Sequence, residues 1–256
     1  MPSSEPLPRD RFAAVFERVY SLDLVYEPDC WRLCGDAHCC SFARHKARFR
    51  LLGTGDRPAQ ELPLLPGEFD FLESRGWVSQ FHDYERKTVR YDFGPGAVTL
   101  DTVTSARPGC ACDHATRTTV CRLYPLLPVY EAGGALAGTE PLGLYEELEI
   151  LDGLEPACRI AALPFGQLNL YLELTRLLGD DPALRFHLMA YRLVKRHIAE
   201  RLGSARATSG KSAFSLFESG FLRRRLLDHP QIKAELAALW EDFASRHGPA
   251  FLDETP

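Results

Sequence analysis

Residues 30–40 read CWRLCGDAHCC, and residues 110–121 read CACDHATRTTVC. Between them they hold seven of the eight cysteines in a chain of 256 residues, spaced C-x3-C-x4-C-C in the first stretch and C-x-C-x8-C in the second. Thiolates are soft donors, and sets of four suit tetrahedral zinc or the irons of an iron–sulfur cluster. Two such stretches are therefore a metal-binding signal. Neighbouring side chains on an extended segment point in different directions, so the vicinal Cys39 and Cys40 either serve two metals or flank one cluster. Seven thiols exceed the four that one zinc needs, and His38 and His114 are further candidate ligands. Cys158 reads first as a small buried thiol and second as an eighth ligand.

The compartment decides between metal and disulfide. The opening segment, MPSSEPLPRDRFAAVFERVYSLDL, has no apolar run of signal-peptide length, and no later stretch reaches the roughly 18 to 20 apolar residues of a membrane span. The expectation is a cytoplasmic protein without a membrane anchor, where a reducing milieu favours metal ligation or redox chemistry over four disulfides. A net charge of −5 argues against a chain built to neutralise nucleic-acid phosphates. The 45% hydrophobic content suits an ordinary globular chain that does not need metal or disulfides merely to fold.

The elements that must position these residues follow from periodicity. Residues 10–20 place Phe12, Val15, Phe16, Val19 and Tyr20 on one helical stripe, with Asp10 as N-cap. From Glu27 the chain reads as loop, making Cys30 to Cys40 a turn-rich knuckle. Pro66 and Gly76 bracket a short helix. Residues 87–93 and 96–103, joined through GPG, form a β-hairpin that leads into a second loop carrying Cys110, Cys112 and Cys121. After Tyr130 four segments (166–179, 181–203, 212–227 and 230–248) show helical spacing, separated around 203–213 by a polar, glycine- and serine-rich loop. Its SGKS lacks the spacing of a phosphate-binding loop. The expected class is α+β and helix-rich. A cysteine-loop region with a short β-hairpin (1–130) precedes an α-helical half (131–256), the two packed either separately or as one domain.

CWRLCGDAHCC, then LLPGEFDFL, then CACDHATRTTVCRLYP resemble the three boxes of the YkgJ-type cysteine-cluster family, a family of zinc- or iron-chelating domains. The resemblance covers about residues 27–130, and Thr118 stands where the family pattern has proline. It implies that Cys30, Cys34, Cys39, Cys40, Cys112 and Cys121 are metal ligands, with Cys110 a seventh. The longer box ending HCC is similar to the cysteine cluster of flagellin lysine-N-methylases, which tilts the expected cofactor toward iron–sulfur over zinc.

Two neighbours of the cysteines are candidates for supporting roles. Arg122 would set a positive charge beside a thiolate cluster, and Glu68 would orient a ligand; a surface arginine and a helix first-turn carboxylate are the plain alternatives. His82, His187, His197, His229 and His247 are scattered and read as surface or packing residues. No G-x-S-x-G elbow, H-E-x-x-H pair or G-x-G-x-x-G turn is present. Two function classes result. One is an iron–sulfur enzyme that modifies a peptide or protein side chain on a helical platform. The other is a structural zinc protein whose helical half binds a partner.

Overall fold

Phe12, Phe16 and Val19 recur at the spacing of one helix face, and helix α1 (Arg9–Ser21) turns all three into the core. The computed structural model of the chain describes residues 9–25, 45, 47–50, 60–105, 113–155, 164–222 and 229–252. Asp10 lies inside α1 rather than capping it, because the helix already includes Arg9.

Strands β1 (Gln60–Leu64), β2 (Tyr84–Asp92) and β3 (Ala97–Ser105) form an antiparallel sheet in the order β1-β3-β2. The β2–β3 hairpin is longer than its sequence pattern indicates, pairing Tyr84 with Ser105 at one end and Asp92 with Ala97 at the other. Helix α2 (Glu68–Ser74) and a 3-10 turn (Trp77–Phe81) lie between β1 and β2. Gly67 starts α2 with φ 72°, and a Cβ there would stand 2.6 Å from the Phe12 ring, so the residue is small for conformation and for contact with α1. Gly76 ends the helix as its type suggests, its N–H donating to the Glu73 carbonyl at 2.9 Å. Arg86 on β2 donates to Asp70 at 3.1 Å and to Asp101 at 2.5 Å while lying over the Phe69 ring, which fastens α2 to the sheet.

Next come helix α3 (Thr119–Leu123) and a second hairpin, β4 (Leu126–Tyr130) with β5 (Leu136–Pro141). Helices α4 (Leu144–Leu151), α5 (Phe165–Asp180), α6 (Pro182–Ser209), α7 (Ala213–Leu222) and α8 (Pro230–His247) complete the framework, with a 3-10 turn at Pro249–Leu252. The class is α+β and helix-rich. The polar stretch expected as a loop over 203–213 is helix as far as Ser209. Thr208 and Ser209 hydroxyls donate back to Ala205 O, Arg206 Nε donates to Asp152 Oδ1 at 3.1 Å, and Gly210 stops the helix at φ 67°. Contacts to α4 thus override the weak helix preference of that segment.

Asp181 caps α6, accepting from the Ala183 and Leu184 amides. At 1.5 Å per residue its 28 residues make a rod of roughly 42 Å. In its N-terminal third one face buries Leu184 and Leu188 with α1, α5 and β4 while another buries Phe186 and Ala190 against α8, and farther along Ile198 and Leu202 are buried with α4 and α7. Phe12 and Phe16 share one apolar cluster with Leu127, Tyr130, Leu174, Leu178 and Leu184, so the segments on either side of residue 130 contribute to a common core. No helix among the described residues is long and apolar enough to cross a membrane.

His187 on α6 donates from Nδ1 to the Ala183 carbonyl at 2.9 Å, and burial pushes its pKa below the ordinary value, partly offset by the Ala183 and Thr99 carbonyls and Asp181. Unfolded chains protonate this imidazole first as pH falls. Its contribution is therefore complete above about pH 6.5 and shrinks as pH drops toward the folded value. His187→Asn, which keeps a donor for Ala183, is expected to flatten the loss of stability below about pH 6.5 in urea titrations taken across pH; an unchanged slope would show that this imidazole is not linked to unfolding.

Candidate metal centre

Cys121 is the one cysteine among the described residues, and it sits in a helix rather than in the loop expected for it. Thr118 is the N-cap of α3, its hydroxyl accepting from the Cys121 amide at 3.4 Å. The half-buried Cys121 side chain packs against the cluster of Leu62, Leu64, Phe69, Leu72, Phe81 and Val103 beneath the sheet. Thr118, standing where the resembling family has proline, thus earns a structural role through its side chain.

Glu68 reaches this turn from α2. It is fully buried, at 0% exposure, yet all of its hydrogen bonds come from donors that the fold supplies. Oε1 accepts from the Thr119 amide at 2.6 Å and from the Tyr20 hydroxyl at 2.7 Å, while Oε2 accepts from the Leu65 amide at 3.0 Å. The Glu68 amide in turn donates to the Leu65 carbonyl at 3.0 Å, a reciprocal closure of the kind seen in capping boxes. One carboxyl group therefore ties the starts of two helices to the end of a third.

Arg122 is buried too, at 1% exposure, which replaces the surface alternative. Its Nε donates to the Arg117 carbonyl at 3.0 Å, Nη1 to Leu22 O at 2.8 Å and Nη2 to Ala115 O at 2.7 Å. The guanidinium also lies 4.7 Å from the centre of the Tyr20 ring, within cation–π range. Buried Arg117 donates to the Leu24 carbonyl, just beyond α1. Burial, reinforced by neighbouring Arg117, pulls the Arg122 pKa below its ordinary value, although an arginine keeps its charge at neutral pH. Burial, then the Glu68 carboxyl, pushes the Tyr20 phenol well above its ordinary value and keeps it a donor.

Gln80 completes the frame from the 3-10 turn. Its amide donates to the Thr116 carbonyl at 3.1 Å and accepts from the Thr116 hydroxyl at 2.9 Å. The polypeptide from Ala115 to Cys121 is thus held by α1, α2 and the 3-10 turn. Such a frame fixes the backbone that carries Cys121 and sets the buried Arg122 guanidinium close enough to the thiol to interact with it electrostatically. No family model, curated protein or solved structure matches this chain.

Cys30, Cys34, His38, Cys39, Cys40, Cys110, Cys112 and Cys158 lie outside the described residues. Among the described residues, no group of three or more His, Cys, Asp or Glu side chains could hold a metal ion. His114 is partly buried in the Asp113–Thr116 turn at the near end of the same frame. His82 is exposed, while three other histidines serve packing and capping. His197 is buried against Glu235 at 3.0 Å, His229 caps α8 by accepting from the Gln231 amide, and His247 meets Arg185 at 2.9 Å. Sequence reasoning singled out Glu68 and Arg122 but passed over Tyr20 and Arg117. Tyr20 carried a usable signal, since a tyrosine on an apolar helix face brings a hydroxyl that must find a partner.

Proposed function

We propose that this chain is a metal-binding protein in which Cys30, Cys34, Cys39, Cys40, Cys110, Cys112 and Cys121 hold an iron–sulfur cluster. In this reading it is a cytoplasmic enzyme that modifies a peptide or protein side chain, and the long helices form the platform for that substrate. The observation that carries the reading is the frame around Cys121. The Glu68 carboxyl and the capping Thr118 meet the start of one short helix that carries both the buried Arg122 and the half-buried Cys121. Glu68 is fully satisfied, whereas Arg117 Nε and the Thr119 hydroxyl are buried without a hydrogen-bond partner among the described residues, and a fold that bears this cost beside Cys121 favours a positioned ligand over an incidental thiol. The positive charge of Arg122, which interacts with Cys121, suits a site that gathers anionic thiolates. The resemblance to the cysteine-cluster family and to flagellin lysine-N-methylases supports the same cofactor. If the centre forms, Cys121 supplies one thiolate, Glu68 and Arg122 hold it in place, and the cluster supplies redox or Lewis-acid chemistry.

Purification without oxygen decides the cofactor. The expected product is brown, with iron and acid-labile sulfide bound per chain. A colourless protein with stoichiometric zinc would instead make the site a structural tie for a partner-binding module. Cys39→Ser and Cys121→Ser are each expected to lower the metal content. Full metal content in Cys121→Ser would overturn a centre shared by the two cysteine stretches.

A further inference from the structure

Tyr20 lies on α1, 101 positions before Cys121 in the chain, and no cysteine pattern points to it. Its ring is fixed by packing. Phe71 and Trp77 approach at centroid distances of 5.3 and 5.5 Å, Phe16 at 6.4 Å, and Arg122 covers the ring at 4.7 Å. With the ring held, the hydroxyl has one direction, toward Glu68 Oε1, and that same oxygen accepts from the Thr119 amide. Thr119 opens the single turn that contains Cys121.

We infer that Tyr20 is a positioning residue of the Cys121 centre, acting through Glu68 to fix the turn that carries the sulfur. The inference rests on the metal-binding reading above for its consequence, but the linkage itself is carried by the geometry. A tyrosine hydroxyl restricts how far Oε1 can swing, and Oε1 in turn restricts the Thr119 amide. Without the hydroxyl, one of two donors to that oxygen is lost and the turn opens more easily. Helix α1 thereby becomes part of the metal centre even though it brings no ligand. Tyr20 also joins two apolar clusters, one around α1 and α5 and one under the sheet, so motion of α1 reaches Cys121 by a route of three hydrogen-bonded groups.

Tyr20→Phe tests this cleanly because it keeps the ring and its contacts while deleting one hydroxyl. Tyr130→Phe is the matched control, since the Tyr130 hydroxyl donates to Thr175 O at 2.8 Å in the same core and has no bond to the Cys121 frame. In the metal-free full chain, Tyr20→Phe is expected to speed hydrogen exchange of the Thr119 and Cys121 amides about five-fold, the factor one net hydrogen bond gives, while Tyr130→Phe leaves them unchanged. After anaerobic loading with ferrous iron and sulfide, Tyr20→Phe is expected to shift the thiolate-to-iron absorption bands and the midpoint potential, again without an effect in the control. Unchanged exchange and unchanged bands in Tyr20→Phe would overturn the inference even if the wild type binds iron normally. Equal changes in both variants would overturn it as well, by showing a general loss of stability. Should the wild type take up no iron while Tyr20→Phe alone speeds exchange, the linkage stands and the metal-binding reading fails.

Discussion

Arg122→Met is expected to cost about 3 to 5 kcal/mol of unfolding free energy in the metal-free protein, more than most single substitutions. Methionine preserves much of the volume and the apolar stem but removes every donor. The carbonyls of Leu22, Ala115 and Arg117 each lose the bond that Arg122 provides. A buried acceptor left without its donor costs about 1 to 3 kcal/mol, and Arg122 itself is 1% exposed, so water replaces it poorly. Arg122→Lys should recover only part of this loss. A lysine carries a point charge without the planar fork that serves three carbonyls at once. Urea denaturation of the metal-free wild type and both variants checks the order wild type, Lys, Met. A loss below about 1 kcal/mol in Arg122→Met would show that the frame is held without the guanidinium.

The second large effect concerns the common core. Leu178 on α5 is fully buried among Phe12, Phe16, Leu127, Leu174 and Leu184. Leu178→Ala is expected to cost about 2 to 5 kcal/mol through lost burial and the cavity left behind. Because the cluster joins α1 and β4 to α5 and α6, the whole transition should move together. Far-UV circular dichroism is dominated by the long C-terminal helices, whereas Trp77 fluorescence, isolated by Trp31→Phe and Trp240→Phe, reports the region beside α2. Their midpoints should fall by the same amount and remain coincident. If the Trp77 signal kept its midpoint while the helices melted earlier, residues before and after 130 would be separate folding units.

Periodicity made much of the framework legible. α1, α5, α6 and α8 follow three- and four-residue apolar spacing, and α2 begins and ends beside the expected Pro66 and Gly76. The strands β1 and β4 were hidden by proline. β1 contains Pro63 and β4 contains Pro128, and proline reads as a breaker in a linear pattern. Both strands lie at sheet edges, where a missing N–H can be tolerated, and edge position is a property of the assembled sheet. The extension of α6 to Ser209 has the same origin, since Asp152 lies 54 residues from Arg206.

By itself the sequence determined the local periodicities, the spacing of the cysteines and the presence of an acid and an arginine near them. Periodicity encodes which face of a helix is apolar, and spacing encodes which thiols can share a loop. Only the tertiary structure decided that Glu68 bonds Tyr20 and Thr119, which are 48 and 51 positions away. It alone decided that Arg122 is buried, because the groups that satisfy its charge are backbone carbonyls of Leu22, Ala115 and Arg117. Every residue carries such a carbonyl, so no residue type marks the partner. The chain must fold before a carbonyl can be told from its neighbours by where it points.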